Sequence, residues 1–500
     1  MTLDGGVFMQ TIDYAVVIVY LIGCTWLGAR IGRGSGEKGL KSYFVGESNI
    51  PAWAVMVSII ATETSAVTFL SVPGNAFRGN MTFLQLALGY ILARIFVAVV
   101  LLPPYFKKEI LSAYELLQVR FGGATQKAAS ILFLVARTLG SGLRLFLAAK
   151  VLEVITGLDL RFSIVLIGVS TLIYTFLGGI KAVVWTDVLQ FGIYLLAAFV
   201  SLGILLYEIP GGWSTVWTKG LAAHKFDMFH LGFNDAKVPG FWPAIYAMLS
   251  QPYTLLAGVI GGFALDTGSH GADQMMVQRY LAARSQKQAG WALIASGFVI
   301  FVQFGLFLLI GVALWVNSAG RPVDKDAEFA SFIRDYLPTG FLGLVIAAIF
   351  SVTMSTVSGA ISASASSTIN DLYRPLFPKT DELTLVRLSK FFTAFWGVVQ
   401  IVTALGALKL EDNVVNNALS IASFLMGILL GLFMLGLMTK NVGQKAAFVG
   451  MVVAVLVVGY LKFGTTIAYP WWALVGSTTV VVVASLVQPL LPRTDQGVTS

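Results

Sequence analysis

Nine of the twenty-two residues from Val352 to Tyr373, VTMSTVSGAISASASSTINDLY, are serine or threonine, although the stretch continues an apolar run over residues 341–350. Ser355, Ser358, Ser362 and Ser366 fall at spacings of three and four, so on a helix their hydroxyls share one face. Hydrocarbon offers such a face no partner; it must meet an ion, water or another helix. Charges recur in comparable surroundings. Glu63 lies inside an apolar run beside Thr62, Ser65 and Thr68, and an isolated charge at mid-membrane costs at least ~2.5 kcal/mol. Arg137, Ser141 and Arg144 stand at i, i+4 and i+7, which turns both guanidiniums to one helix face. Asp266 and His270 lie one turn apart in another interrupted run. Hydroxyl and carbonyl oxygens suit a hard cation, and a guanidinium suits a carboxylate.

The elements that carry these residues must be membrane spans. Five hundred residues with 57% hydrophobic and 12% charged side chains, and a mean hydropathy of +0.82, describe a polytopic all-α membrane protein. The formal charge of +8 is dispersed over short loops, where the retention of lysine and arginine on the cytoplasmic side explains it without nucleic acid. Cys24 is the only cysteine, which excludes an intramolecular disulfide and a cysteine-built metal site. Asp4 and Asp13 precede the first apolar run and no lysine or arginine does, unlike a secretory signal, so the first span is expected to be retained.

Thirteen apolar runs are long enough to cross about 30 Å of hydrocarbon, centred near residues 20, 62, 93, 140, 169, 195, 262, 303, 352, 397, 428, 452 and 480. Placing the loop after the first span in the cytoplasm puts eighteen lysines and arginines inside, Lys181 and Arg279 among them, against ten outside. The expected topology is N-terminus outside and C-terminus cytoplasmic, in a cytoplasmic (inner) membrane. The two longest loops, 207–240 and 317–340, are too small for a catalytic domain. No HExxH, nucleophile elbow or phosphate-cradling loop appears, which argues against an enzyme and against ATP-driven transport.

Two spans are interrupted by polar residues, the second over Ala61, Thr62, Glu63, Thr64 and Ser65 and the seventh over Asp266 to Gly271. Interruptions five spans apart fit two inverted five-helix repeats with a binding site between them. One transporter domain over residues 1–500 follows: a peripheral first helix at 11–30, repeats at 52–207 and 251–437, and two peripheral helices within 443–490.

Three motifs, Tyr174 to Gln190 (YTFLGGIKAVVWTDVLQ), Gly271 to Ala282 (GADQMMVQRYLA), and the hydroxyl-rich stretch with its MST and DLY, make the chain resemble the sodium/solute symporter family over nearly its whole length. That family includes sodium-coupled sugar, proline and sialic acid transporters. The resemblance implies a LeuT-type five-plus-five inverted repeat with two broken helices, alternating access, and Na+ driving solute uptake. Matched residue by residue, it places a main sodium site on backbone carbonyls of Ala61, Thr64 and Val352 with the hydroxyls of Ser355 and Thr356. Members with a second sodium use the acid of the WTD motif, here Asp187, and a hydroxyl at Ser358. Gly359 stands where those members carry a second serine or threonine, and so one sodium per cycle is expected. The arginine that binds acidic solutes in related transporters matches Gly140, one turn from Arg137 and from Arg144.

Other roles remain open for several of these residues. Asp187 could simply pair with a nearby cation such as Lys181, and Glu63 with Arg137 or Arg144. Arg94 reads as a buried helix-to-helix partner, and His270 as a hydrogen-bond partner of a freed carbonyl. The small residues of 363–367 suit close helix packing. Thr62, Glu63, Ser65, Thr68, Arg137, Arg144, Asp266 and His270 are the candidate substrate contacts. The expected function is sodium-coupled import of a small polar organic solute, carboxylated if an arginine keeps a net positive field. A proton-coupled symporter, with Glu63, Asp266 and His270 carrying the proton, and a transporter-like sensor or channel are the alternatives. The partners implied are the solute, Na+ and the lipid bilayer, with no partner protein.

Overall fold

The computed structural model describes residues 9–32, 39–107, 110–232, 240–320, 328–410 and 412–491, without the side chains of 412–419 and 421–424. Helices dominate, and among the described residues the only β pairing is an isolated bridge between Ile50 and Ala283. The elements that position the site are α1 (Thr11–Gly32), α2 (Ala52–Glu63), α3 (Ala66–Arg78), α4 (Met81–Lys107), α5 (Gly123–Thr156) and α6 (Leu160–Glu208). They are followed by α7 (Gly262–Gly271), α8 (Gln274–Leu281), α9 (Gln286–Asn317), α10 (Phe341–Tyr373), α11 (Glu382–Lys409), α12 (Asp412–Met438), α13 (Gln444–Gly464) and α14 (Pro470–Leu490). Nine of the described helices are long and apolar enough to cross a membrane, and α2 with α3, taken together as one bent pair, is as well.

The hydroxyl-rich α10 lies at the centre. Protein buries 89% of its apolar window, against 28% for α1 and for α14, so the serine stripe faces other helices and not lipid. Small residues permit that density. On α1, a Cβ at Gly32 would fall 1.9 Å from the Gly178 Cα of α6, and on α9 a Cβ at Gly311 would fall 2.0 Å from the Pro73 carbonyl of α3.

Three breaks have local causes. Between α2 and α3 the chain turns by 69°. Thr64 is extended there (φ −72°, ψ 113°), and Ser65 caps the new helix by accepting from the Thr68 amide at 3.3 Å. In the seventh span the break differs from the expected one. Residues 266–271 are helical, and the turn comes at Ala272 and Asp273, where Asp273 caps α8 by accepting from the Met275 amide at 2.9 Å. The glycines that suggested unwinding serve packing instead: a Cβ at Gly271 would meet Leu101 at 2.4 Å, and one at Gly268 would meet the Met426 carbonyl at 3.2 Å. The third break falls between the two spans expected near residues 169 and 195. Gly179 divides α6 with φ +55°, and a Cβ there would meet the Tyr43 carbonyl at 2.4 Å.

The α3–α9 contact gives a direct test. Gly311→Val drives a branched side chain into the Pro73 backbone, and overpacking of this kind costs about 1–3 kcal/mol. The purified variant should unfold at a lower temperature, while Gly305→Val on the same helix, where nothing lies within 4 Å of the Cβ, should unfold as the native chain does.

Candidate functional site

The end of α2 meets the middle of α10. The Thr64 amide donates to the Ile60 carbonyl (3.0 Å), after which the helical ladder stops and leaves carbonyls without their amide partners. The Thr64 side chain points the other way and accepts from Gln303 of α9 at 2.8 Å. From α10, the Thr356 hydroxyl donates to the carbonyls of Val352 (3.0 Å) and Thr62 (3.3 Å), and the Ser355 hydroxyl lies 3.5 Å from that of Thr62. Ala61, Thr64, Val352, Ser355 and Thr356 thus lie around one helix-to-helix junction, all buried. Freed carbonyls and two hydroxyls are the donor set a sodium ion takes.

Beside this junction lies a buried ion pair. Arg279 Nη2 donates to Asp187 Oδ2 at 3.1 Å, both side chains being fully buried. Ser58 and Thr62 also donate to Asp187 Oδ2, the latter at 3.3 Å, and Ser355 donates to Oδ1 at 2.6 Å. Lys181 is not the partner of Asp187; it pairs with Glu47 at 3.1 Å. Arg279 is accordingly no loop charge. Ser358 turns back along its own helix and donates to the Ser355 carbonyl at 3.0 Å.

On the other side of α2 a cavity of about 220 Å³ is lined by Thr62, Glu63, Arg137, Arg144 and Asp266 from the expected set, with Tyr90, Ser269, Asp273 and Met426 among its other walls. Ser65, Thr68 and His270 do not line it: Ser65 and Thr68 hydrogen-bond each other at the start of α3. Glu63 takes neither expected arginine. It pairs with Arg94 of α4, which also reaches Asp266 (3.3 Å) and Ser296 (2.7 Å). His270 Nδ1 lies 2.9 Å from Asp266 Oδ1, so its partner is a carboxylate and not a freed carbonyl. Glu63, Asp266 and His270 bring ligand atoms within 4.8 Å of one another, but the Arg94 guanidinium already supplies the cation. Arg137 pairs with Asp273 at the second break. Arg144 has no ion pair or hydrogen bond among the described residues.

The family model described as the sodium:solute symporter family matches residues 43–454. The chain belongs to that family. It is a sodium-coupled symporter of a small solute in a multi-pass membrane protein, and Na+ is one of its substrates. Among curated proteins it is similar to the sodium/sialic acid symporter SiaT of Proteus mirabilis, 28% identical across 97% of this chain and 96% of that one. It is also similar to sodium-coupled monocarboxylate transporter 1 of Xenopus laevis, 30% identical across 92% and 73%. Among solved structures it resembles a substrate-bound, outward-open Na+-coupled sialic acid symporter with a TM-score of 0.87, at 28% identity over 98% and 99% of the two chains.

Among the residues of this symporter's centre that sequence reasoning missed are Arg279, Asp273 and Gln303. Arg279 and Asp273 lay in plain view in GADQMMVQRYLA, but an eight-residue helix is too short for its periodicity to reveal depth. Gln303 is a lone amide in an apolar run, a weak sign of a buried partner.

The Arg94 cluster can be tested by removing its centre. Arg94→Met takes the ion pair from the partly buried Glu63 and leaves the buried Asp266 with His270 alone, and should destabilise the fold by about 3–5 kcal/mol, seen as a large fall in the thermal unfolding midpoint. Glu63→Gln should cost less, because Asp266 and Ser296 still hold the guanidinium.

Proposed function

We propose that this symporter imports a small, polar, carboxylated solute together with one sodium ion, by alternating access across a cytoplasmic membrane. The observation that carries the reading is Arg144, a cation without an ion-pair or hydrogen-bond partner among the described residues, in the wall of a cavity that adjoins the oxygen-lined junction of α2 and α10. Among the described residues around the cavity, Arg94 is shared by two carboxylates, Arg137 is matched by one, and Arg144 is matched by none. The field is therefore positive at Arg144 and negative at Glu63 and Asp266. A solute with a carboxylate at one end and hydroxyl or ammonium donors at the other answers both. Arg137 Nε and Ser141 Oγ, on the same face of α5, are buried without hydrogen-bond partners among the described residues and offer further polar contacts. Relatives whose names specify sialic acid, a carboxylated sugar, and monocarboxylates agree in solute class.

The sodium site in this reading is formed by the carbonyls of Ala61, Thr64 and Val352 and the hydroxyls of Ser355 and Thr356. Thirteen crossings fit the helices if α6 is two spans divided at Gly179, α7 and α8 form one broken span, and α12 crosses. Two inverted five-helix repeats over 52–207 and 251–437 then bring the breaks at Thr64 and Asp273 to their interface. The count of basic residues still favours the N-terminus outside and the C-terminus in the cytoplasm. Arg94, set among Glu63, Asp266 and His270, weighs against those residues exchanging protons with each turnover.

Screening carboxylated solutes by thermal shift finds the substrate, because a transported solute stabilises the protein more when sodium is present. Uptake into proteoliposomes should follow an imposed sodium gradient. Ser355→Ala and Thr356→Ala should each raise the sodium concentration for half-maximal uptake by roughly tenfold, as expected for one lost ligand. Arg144→Leu should abolish binding of the carboxylated solute and leave sodium binding in place. Uptake by Ser355→Ala with native sodium dependence would remove the site.

A further inference from the structure

Asp187 with the hydroxyls of Ser58, Thr62 and Ser355 is a second set of oxygens fit for a hard cation. A cation is already there. The Arg279 guanidinium donates to Asp187 (3.1 Å), to Ser58 Oγ (2.9 Å) and to the Met275 carbonyl (2.8 Å), so its charge is matched and its donors are largely used. It lies against the bare face of Gly359, where a Cβ would come within 2.9 Å of Nη2 and 3.2 Å of Nη1. A serine or threonine at 359 would have to push the guanidinium aside. The Gly359 that weakened the case for a second sodium is thus also the residue that admits the arginine.

We infer that Arg279 is a tethered cation occupying the place of a second sodium, that Gly359 makes room for it, and that this pair sets the coupling at one ion. Asp187 is then a positioning residue. By accepting the Ser355 proton at 2.6 Å it leaves the lone pairs of Ser355 for the ion at the junction of α2 and α10. The inference rests on the sodium site proposed above and adds to it a reason for its stoichiometry.

Radioactive sodium binding to the purified full-length protein tests this without knowledge of the solute. The native chain should bind one ion with a hyperbolic dependence. Arg279→Gln, which frees Asp187, should bind two, and adding Asp187→Asn to it should restore one. Should Arg279→Gln not fold, Gly359→Ser in the otherwise native chain serves instead and should likewise gain an ion. A native chain that binds two ions, or a folded variant of either kind that still binds one, overturns the tethered-cation assignment.

Positioning is read from a second comparison, in which both charges are removed together. The pair Asp187→Asn with Arg279→Gln keeps an acceptor for Ser355 and should hold sodium with near-native affinity. Asp187→Leu with Arg279→Met removes the acceptor and should weaken sodium binding roughly tenfold or more, the usual size of a lost outer-shell contact. Equal affinity in the two pairs overturns the positioning role. Native sodium affinity in Ser355→Ala would instead overturn the sodium site itself, a different failure with a different variant.

Discussion

A guanidinium buried among membrane helices must be matched by a carboxylate, and that requirement organises the centre of this protein. Arg94, Arg137 and Arg279 are all buried, and each is paired with an acid on a different element. Arg94 joins α4 to the end of α2 and to α7. Arg137 joins α5 to the turn between α7 and α8, and Arg279 joins α8 to α6 while Ser58 of α2 shares it. Each pair reaches α2, α7, α8 or the turn between the last two. The breaks expose backbone carbonyls and amides that hydrocarbon cannot satisfy, and the charges fix where those exposed groups point.

On the proposed reading, that arrangement brings ion and solute sites together without making them the same. In that reading, the end of α2 offers the carbonyls of Ala61 and Thr64 to sodium, while Thr62 and Glu63 line the cavity. A single turn of helix thus belongs to both sites. Sodium that orders this turn also orders one wall of the cavity, so each ligand raises the affinity of the other by the same factor. Ser355 extends the connection, since its hydroxyl also reaches Asp187 and, through it, Arg279.

The sequence made the coarse architecture legible because hydropathy, interrupted spans and the three motifs are local signals. Ser355 could be placed on a hydroxyl-bearing helix face from its spacing with Ser358, Ser362 and Ser366, and Thr356 from the MST motif. The charge pairs could not. Arg94 and Glu63 are separated by 31 residues, and Asp187 and Arg279 by 92, so no local pattern links them. Lys181 was a reasonable partner for Asp187 by proximity in sequence, yet it points to Glu47 near the end of the bundle. The second break was misplaced for a related reason. Glycine can mean an unwound helix or a close contact, and at Gly268 and Gly271 only the neighbouring helices decide between them. Asp273 before Gln274 was the better local signal, an acid in capping position.

The charge count has a consequence for energetics. If one sodium crosses with one monocarboxylate, the loaded carrier moves no net charge across the membrane beyond the fixed charges of the protein. The membrane potential, worth about 2.3 kcal/mol per charge per 100 mV, then adds nothing to accumulation, and the sodium gradient alone sets its limit. A second sodium at Asp187 would make transport electrogenic and steepen accumulation. With Arg279 in that position the positive charge stays with the protein and returns with it each cycle. The geometry around Gly359 therefore bears on how far the solute can be concentrated as well as on how many ions are bound.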